Sequence, residues 1–144
     1  MTGALRSRSK TVATWLALAG GSLGLHRFYL FGARDVWAWL HALPTLIGVY
    51  GFWRLRKLGT DDRLGAELVP LLGLMLTMTM LFAIFYGLMP DERWKARFGE
   101  RAGSRPSAGL AIFGVCLALA LGATAAMATL AFVVERYFEW QVPG

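Results

Sequence analysis

The run Gly20-Gly21-Ser22-Leu23-Gly24-Leu25-His26-Arg27-Phe28-Tyr29-Leu30-Phe31-Gly32 decides how the chain is read. It ends one short apolar segment, makes a polar and aromatic turn, and leads into a second apolar segment. Outward from it, long stretches hold no charge while Lys and Arg gather in short clusters between them. That segregation makes lipid part of the solvent. The 144 residues are 56% apolar and only 17% charged, with mean hydropathy +0.49, where a soluble domain carries about a quarter charged residues.

A net charge of +6 invites a nucleic-acid reading. The fifteen basic residues do not line one helix face, however, and suit a surface of anionic headgroups better. The single Cys116 excludes an intrachain disulfide and a cysteine-cluster metal site. Arg6, Arg8 and Lys10 before an apolar run have the look of a signal peptide. The run passes through Gly-Gly into His26-Arg27 without a small-x-small cleavage site, so the sequence predicts a retained first helix. Trimming after Leu25 would overturn that expectation.

After a basic tail (residues 1–10), segment one covers residues 11–25. Fifteen helical residues rise about 22 Å, short of a hydrocarbon core of about 30 Å. Gly20 and Gly24 have the small-xxx-small spacing of closely packed helices, or else mark the end of the helix. Segment two covers 36–53, with a kink or unwinding expected at Pro44. Trp37 and Trp39 near one end, with Tyr50 and Trp53 near the other, suit two interfacial belts. A charged loop (58–67, with Arg54, Arg56 and Lys57 just before it) precedes segment three, 68–89, which has no charge at all. Residues 91–101 form either a short interfacial helix, with Trp94 and Phe98 on one face, or a solvated loop. Segment four covers 108–134. Its stripe Gly114, Ala118, Gly122 and Ala126 is a packing face for a neighbouring helix, in this chain or a second copy. The expectation is an all-α membrane protein of four transmembrane helices arranged as two antiparallel hairpins, residues 11–57 and 68–144. Basic residues divide eight against seven between the two sides. The flanks of the first helix favour a cytoplasmic N-terminus, in a bacterial inner membrane by style.

Chemistry is sparse. The expected spans hold no Asp or Glu, one Cys and one His. His41 alone cannot hold a metal, and it could meet His26 only if the hairpin folds back on itself. No cofactor is expected, and no catalytic or metal-binding residue. The turn remains: His26, Arg27, Phe28, Tyr29 and Gly32. Arg27 could bind a lipid phosphate or cap the carbonyls of segment one. Arg34 and Asp35 could pair, or Asp35 could cap segment two. The turn is either a plain membrane hairpin turn or a recognition element for lipid or a partner protein.

With these residues in view, positions 9–57 resemble the TM-two domain family, a two-transmembrane-helix module. Its pattern is a basic start, a helix ending in Gly-x-x-Gly-x, then His/Asp-Arg-Phe-Tyr-Leu-Gly and a second helix. Here Lys10, Gly21, Gly24, His26-Arg27-Phe28-Tyr29-Leu30 and Gly32 take those places. Phe31 is an extra residue, and Trp53-Arg54-Leu55-Arg56 stands where the family has an aspartate. The resemblance implies a membrane hairpin module without a common catalytic activity; in some relatives the Arg-Phe turn is likened to a receptor-coupling motif. The function expected is a non-enzymatic interaction or scaffold module, in contact with the bilayer and with a second copy or a membrane protein, not nucleic acid. One alternative is a small transporter or channel component with the glycine stripe lining a pore, whose conductance Gly122→Leu would abolish. Another is a lipid-acting enzyme using His26, Arg27 and Tyr29 in an enclosed pocket.

Overall fold

The computed structural model describes residues 8–99 and 108–142, and every regular element among them is helical. They are α1 (Lys10–Gly20), a 3-10 turn (Gly21–Leu23), α2 (Leu25–Phe31), α3 (Val36–Leu58), α4 (Arg63–Leu88), α5 (Asp91–Phe98) and α6 (Ala108–Gln141). Two stretches, Arg63–Leu88 and Gly109–Gln141, are long and apolar enough to cross a membrane, each holding an 18-residue window with a mean hydropathy of 2.3 and 2.2 respectively.

That is two where the sequence suggests four: segment one is too short, and segment two, in α3, is long enough but falls short in hydropathy. The first segment departs furthest from the expectation. α1 has 11 residues and rises about 16 Å, half of a bilayer core. The chain leaves helical geometry at Gly20 (φ −142°, ψ 19°), and Gly24 adopts the left-handed conformation (φ 79°) that launches α2. A side chain at Gly24 would also strike the Ala38 carbonyl of α3. α3 is 23 residues long and continues through Pro44 without unwinding, then past Trp53 to Arg54, Arg56 and Lys57. The loop at 58–67 shrinks to a tight turn, because α4 already begins at Arg63, and Arg63 and Glu67 pair along that helix at 3.2 Å. Residues 91–98 are helical, as the interfacial-helix option requires; residues 100–101 of that stretch, and 1–7 of the basic tail, lie outside the described residues.

α4 is the central helix, with α1, α3 and α6 packed on it. Lys10 Nζ, at the start of α1, donates to the Met89 carbonyl at 3.0 Å and to Asp91 at 2.7 Å. At the tip of the α1–α2 hairpin, Gly21 lies against Thr79, ten residues back along α4, so the hairpin descends about 15 Å. α2 then returns to the starting end, where the Tyr29 hydroxyl accepts from the Ser9 amide at 3.0 Å and Phe31 meets Phe98 edge-on at 6.0 Å. α3 runs antiparallel to α4, with Gly48 against Leu72 and Gly51 against Leu68. α6 is antiparallel too: Val115 lies by Gly87, Met80 by Gly122 and Thr129 by Gly73. At the far end Arg136 donates to the Thr60 carbonyl at 3.2 Å, and Arg63 sits 5.1 Å over Trp140. The beginning and end of the described chain therefore lie at opposite ends of the bundle, where four spans would bring them together.

Burial is inverted relative to a water-soluble bundle. Ala13, Ala17, Ala38, Ala66, Ala83, Ala111 and Ala118 are buried, while Leu119, Met127 and Leu130 are 62%, 66% and 58% exposed. Small residues let backbones approach: a methyl group at Gly48 would overlap the Leu72 amide of α4. Such close contacts gain dispersion energy and weak backbone contacts.

Candidate functional site

The hairpin turn is held by a clamp. Arg27 Nε donates to Asp35 Oδ2 at 2.8 Å, and the other carboxylate oxygen accepts from the Trp37 amide at 3.2 Å, capping α3. Asp35 thus pairs with Arg27, not with its neighbour Arg34. Between the two, Gly32 ends α2 at φ 91°, ψ 175°, and its N–H donates to the Phe28 carbonyl. Arg27 also lies 5.1 Å over the Phe31 ring.

The same device recurs at the opposite end of the bundle. Arg54 donates to Asp62 through Nε (2.8 Å) and Nη2 (2.7 Å), and Asp62 accepts from the Gly65 amide at 3.0 Å, capping α4. Gly59 ends α3 at φ 93°, ψ 176°, with its N–H donating to Leu55. Gly21, Gly24, Arg27, Gly32 and Asp35 recur as Gly48, Gly51, Arg54, Gly59 and Asp62, each 27 positions later. Gly24 abuts the Ala38 backbone and Gly51 abuts the Gly65 carbonyl, again one spacing apart. Arg54 and Asp62 are the structural residues that a reading centred on the first turn passes over; aligning the chain with itself is the signal that finds them. The Arg54 hydrogen bonds hold the Asp62 carboxyl below its ordinary range, and the Gly65 amide adds to the effect. The Arg54 guanidinium is correspondingly raised, by Asp62 first and then by the Tyr50 hydroxyl.

His26 is not at a headgroup surface. Its side chain is fully buried, enclosed by His41 at 5.7 Å, Phe82 at 5.3 Å and Tyr86 at 5.8 Å between ring centroids. The chain does fold back far enough to bring both histidines together. Among the described residues neither nitrogen of His26 has a hydrogen-bond partner, whereas His41 Nδ1 lies 2.8 Å from the Trp37 carbonyl. Nearby, the Thr45 hydroxyl donates to the Ser22 carbonyl at 2.5 Å, which satisfies a carbonyl released where the helix breaks.

The remaining turn residues are structural in their contacts. Phe28 packs edge-on against Trp39 at 5.2 Å. Tyr29 ties α2 to Ser9, and Arg8 lies 4.9 Å over its ring. Gly20 and Gly24 share no helix face, since α1 ends at Gly20, and the space beside Gly20 is filled by Leu25. The stripe on α6 is occupied within the chain: Gly114 faces Thr14 and Trp15 of α1, Gly122 faces Met80, and Ala118 is fully buried, with Ala126 half-buried. Among the described residues no three of His, Cys, Asp and Glu converge as metal ligands would.

No protein-family model matches the chain, and neither a curated protein nor a solved structure does so.

Proposed function

We propose that this chain is a non-enzymatic integral membrane protein, an interaction or scaffold module in which a half-depth helical hairpin, α1–α2, is held against α3, α4 and α6. The observation that carries membrane residence is the outward face of the long helices: leucine, phenylalanine and tryptophan side chains lie exposed along α3, α4 and α6. Alanine, glycine and threonine fill the helix contacts, while the large buried side chains, Leu30, Met80, Tyr86, Trp94 and Phe98, gather in one cluster. Exposed apolar surface on that scale has no counterpart on soluble monomers. Lys10, Tyr29 and Asp91 then mark one interface, and the hairpin tip, about 15 Å away along α4, falls near the bilayer centre. Broken backbone is tolerated at that depth only when protein encloses it, as Thr45 and Thr79 do around Gly21 and Ser22.

The geometry favours a scaffold over the two alternatives. A pore lined by the α6 stripe has no support, since α1 and α4 fill that face. Catalysis by His26 requires a substrate to reach a ring sealed from solvent. The likeness to the TM-two domain is kept for residues 9–57, with the first helix stopping half-way. Orientation follows from charge: among the described residues seven Lys and Arg lie at the α5 end and five at the Gly59 end, so the N-terminal end is cytoplasmic. The test is membrane fractionation. The protein stays in the pellet after an alkaline wash and leaves it only with detergent; a monodisperse species in a detergent-free aqueous extract would overturn the proposal.

A further inference from the structure

Outside the turn, α4 and α5 enclose an open groove of about 480 Å³, lined by Leu81, Ile84, Phe85, Leu88 and Pro90 with Arg93 and Arg97 at its mouth. Its two halves differ in kind. Leu81, Ile84, Phe85 and Leu88 follow i, i+3, i+4, i+7 and so form one stripe along α4; Leu81, Phe85 and Leu88 are 56%, 58% and 63% exposed. The stripe runs about 10 Å from the interfacial end toward the middle of the helix. Arg93 and Arg97 are four apart on α5 and share a face. Arg93 has no hydrogen bond, ion pair or ring contact among the described residues, and Arg97 has only the Phe98 ring, at 5.7 Å. Neither Asp91 nor Glu92 lines the groove, and Asp91 is taken by Lys10.

Two guanidinium groups without an acidic partner among the described residues, above an apolar wall, match one kind of molecule: an anion at headgroup depth carrying a hydrocarbon chain. We infer that the groove holds an anionic phospholipid. The phosphate, whose charge no cationic headgroup neutralises, lies between Arg93 and Arg97, where guanidinium forks suit phosphate oxygens. One acyl chain lies along Leu88, Phe85, Ile84 and Leu81. Arg27 shares an adjoining smaller cavity with Arg97 but does not line this groove, and its Nε is committed to Asp35. It rests on the membrane reading above, and it names the surface lipid that the reading leaves open.

The test is native mass spectrometry of the full chain released from detergent micelles containing equal phosphatidylglycerol and phosphatidylcholine. Wild type retains phosphatidylglycerol in preference by about tenfold, two surface cations each contributing to the attraction. The double variant R93Q/R97Q loses that preference while remaining in the membrane pellet, which separates failure of the site from failure of membrane residence. R56Q, at the opposite end of the bundle, keeps it. Phe85→Ala weakens retention of the lipid but not the choice between headgroups. Three results would each overturn the inference: equal retention of both lipids by wild type, an equal loss in R56Q, or full competition by soluble glycerol 3-phosphate, which has no acyl chain.

Discussion

Arg54 grips Asp62 with two parallel hydrogen bonds of 2.8 and 2.7 Å, and Arg27 holds Asp35 across the same eight-residue separation at the other end of the bundle. In each case the arginine lies in the last turns of one helix and the aspartate caps the next. The ion pair therefore fixes both the exit and the re-entry of the chain. One sequence device builds two reversals, each opening on a glycine with φ near 90°.

The Asp62 clamp makes stability depend on acid. Its folded carboxyl titrates below the ordinary value of 3.8 because Arg54 donates to the ionised form. Its contribution is complete above that ordinary value and is lost as pH falls through the lower folded one. Thermal melts in detergent at pH 7, 4 and 3 should show wild type losing stability on acidification. D62N should start lower at pH 7 and fall less. Parallel curves for the two proteins would remove Asp62 from the account.

Gly32 and Gly59 have open space around them, so alanine at either meets no neighbour. What it meets is the backbone: φ of 91° and 93° lies where side chains are disfavoured. Gly32→Ala and Gly59→Ala should each cost about 1–3 kcal/mol, and by similar amounts. Denaturant titration of the two variants side by side measures this. A large cost at one and none at the other would contradict the equivalence of the turns.

Gly48 tests the close approach of α3 to α4. Gly48→Leu should cost at least the roughly 1–3 kcal/mol of an overpacked core, because the obstacle is the Leu72 backbone rather than a movable side chain. Gly109→Ala, with open space around it, is the control and should not lower the melting temperature, alanine being the better helix former.

His26 predicts an unusual sign. An imidazole buried without a hydrogen bond is a cost to the fold, and an apolar replacement of similar volume removes it. His26→Leu should be neutral or raise the melting temperature by a few degrees. A marked loss would mean that a ring nitrogen has a partner, and would reopen a binding role for the pair with His41.

The all-helical composition was legible in hydropathy, because uninterrupted apolar runs such as residues 68–89 leave no other element that satisfies its own backbone. The Arg27-to-Asp35 turn was legible in part, since Asp35 before an apolar run is a helix cap and Gly32 permits reversal. The shortness of α1 was not. Leu18, Leu23 and Leu25 continue the apolar run, and the break at Gly20 depends on Leu25 folding back over it and on Thr79 receiving Gly21, both tertiary contacts. The site of His26 was hidden for the same reason: its neighbours Phe82 and Tyr86 lie more than fifty residues away in sequence. The eight-to-seven division of basic residues rests on the same unseen feature, because it takes the first segment as a full span.

The central claim is that α1 enters the bilayer and α2 brings the chain back to the same face. The direct measurement is labelling of single cysteines, Arg8→Cys, Arg34→Cys and Thr60→Cys in a Cys116→Ala background, by an impermeant maleimide in sealed vesicles of known orientation. Arg8→Cys and Arg34→Cys should label together from one face and Thr60→Cys only from the other. Arg8→Cys labelling with Thr60→Cys, and Arg34→Cys alone on the opposite face, would mean that the first helix crosses and would contradict the account.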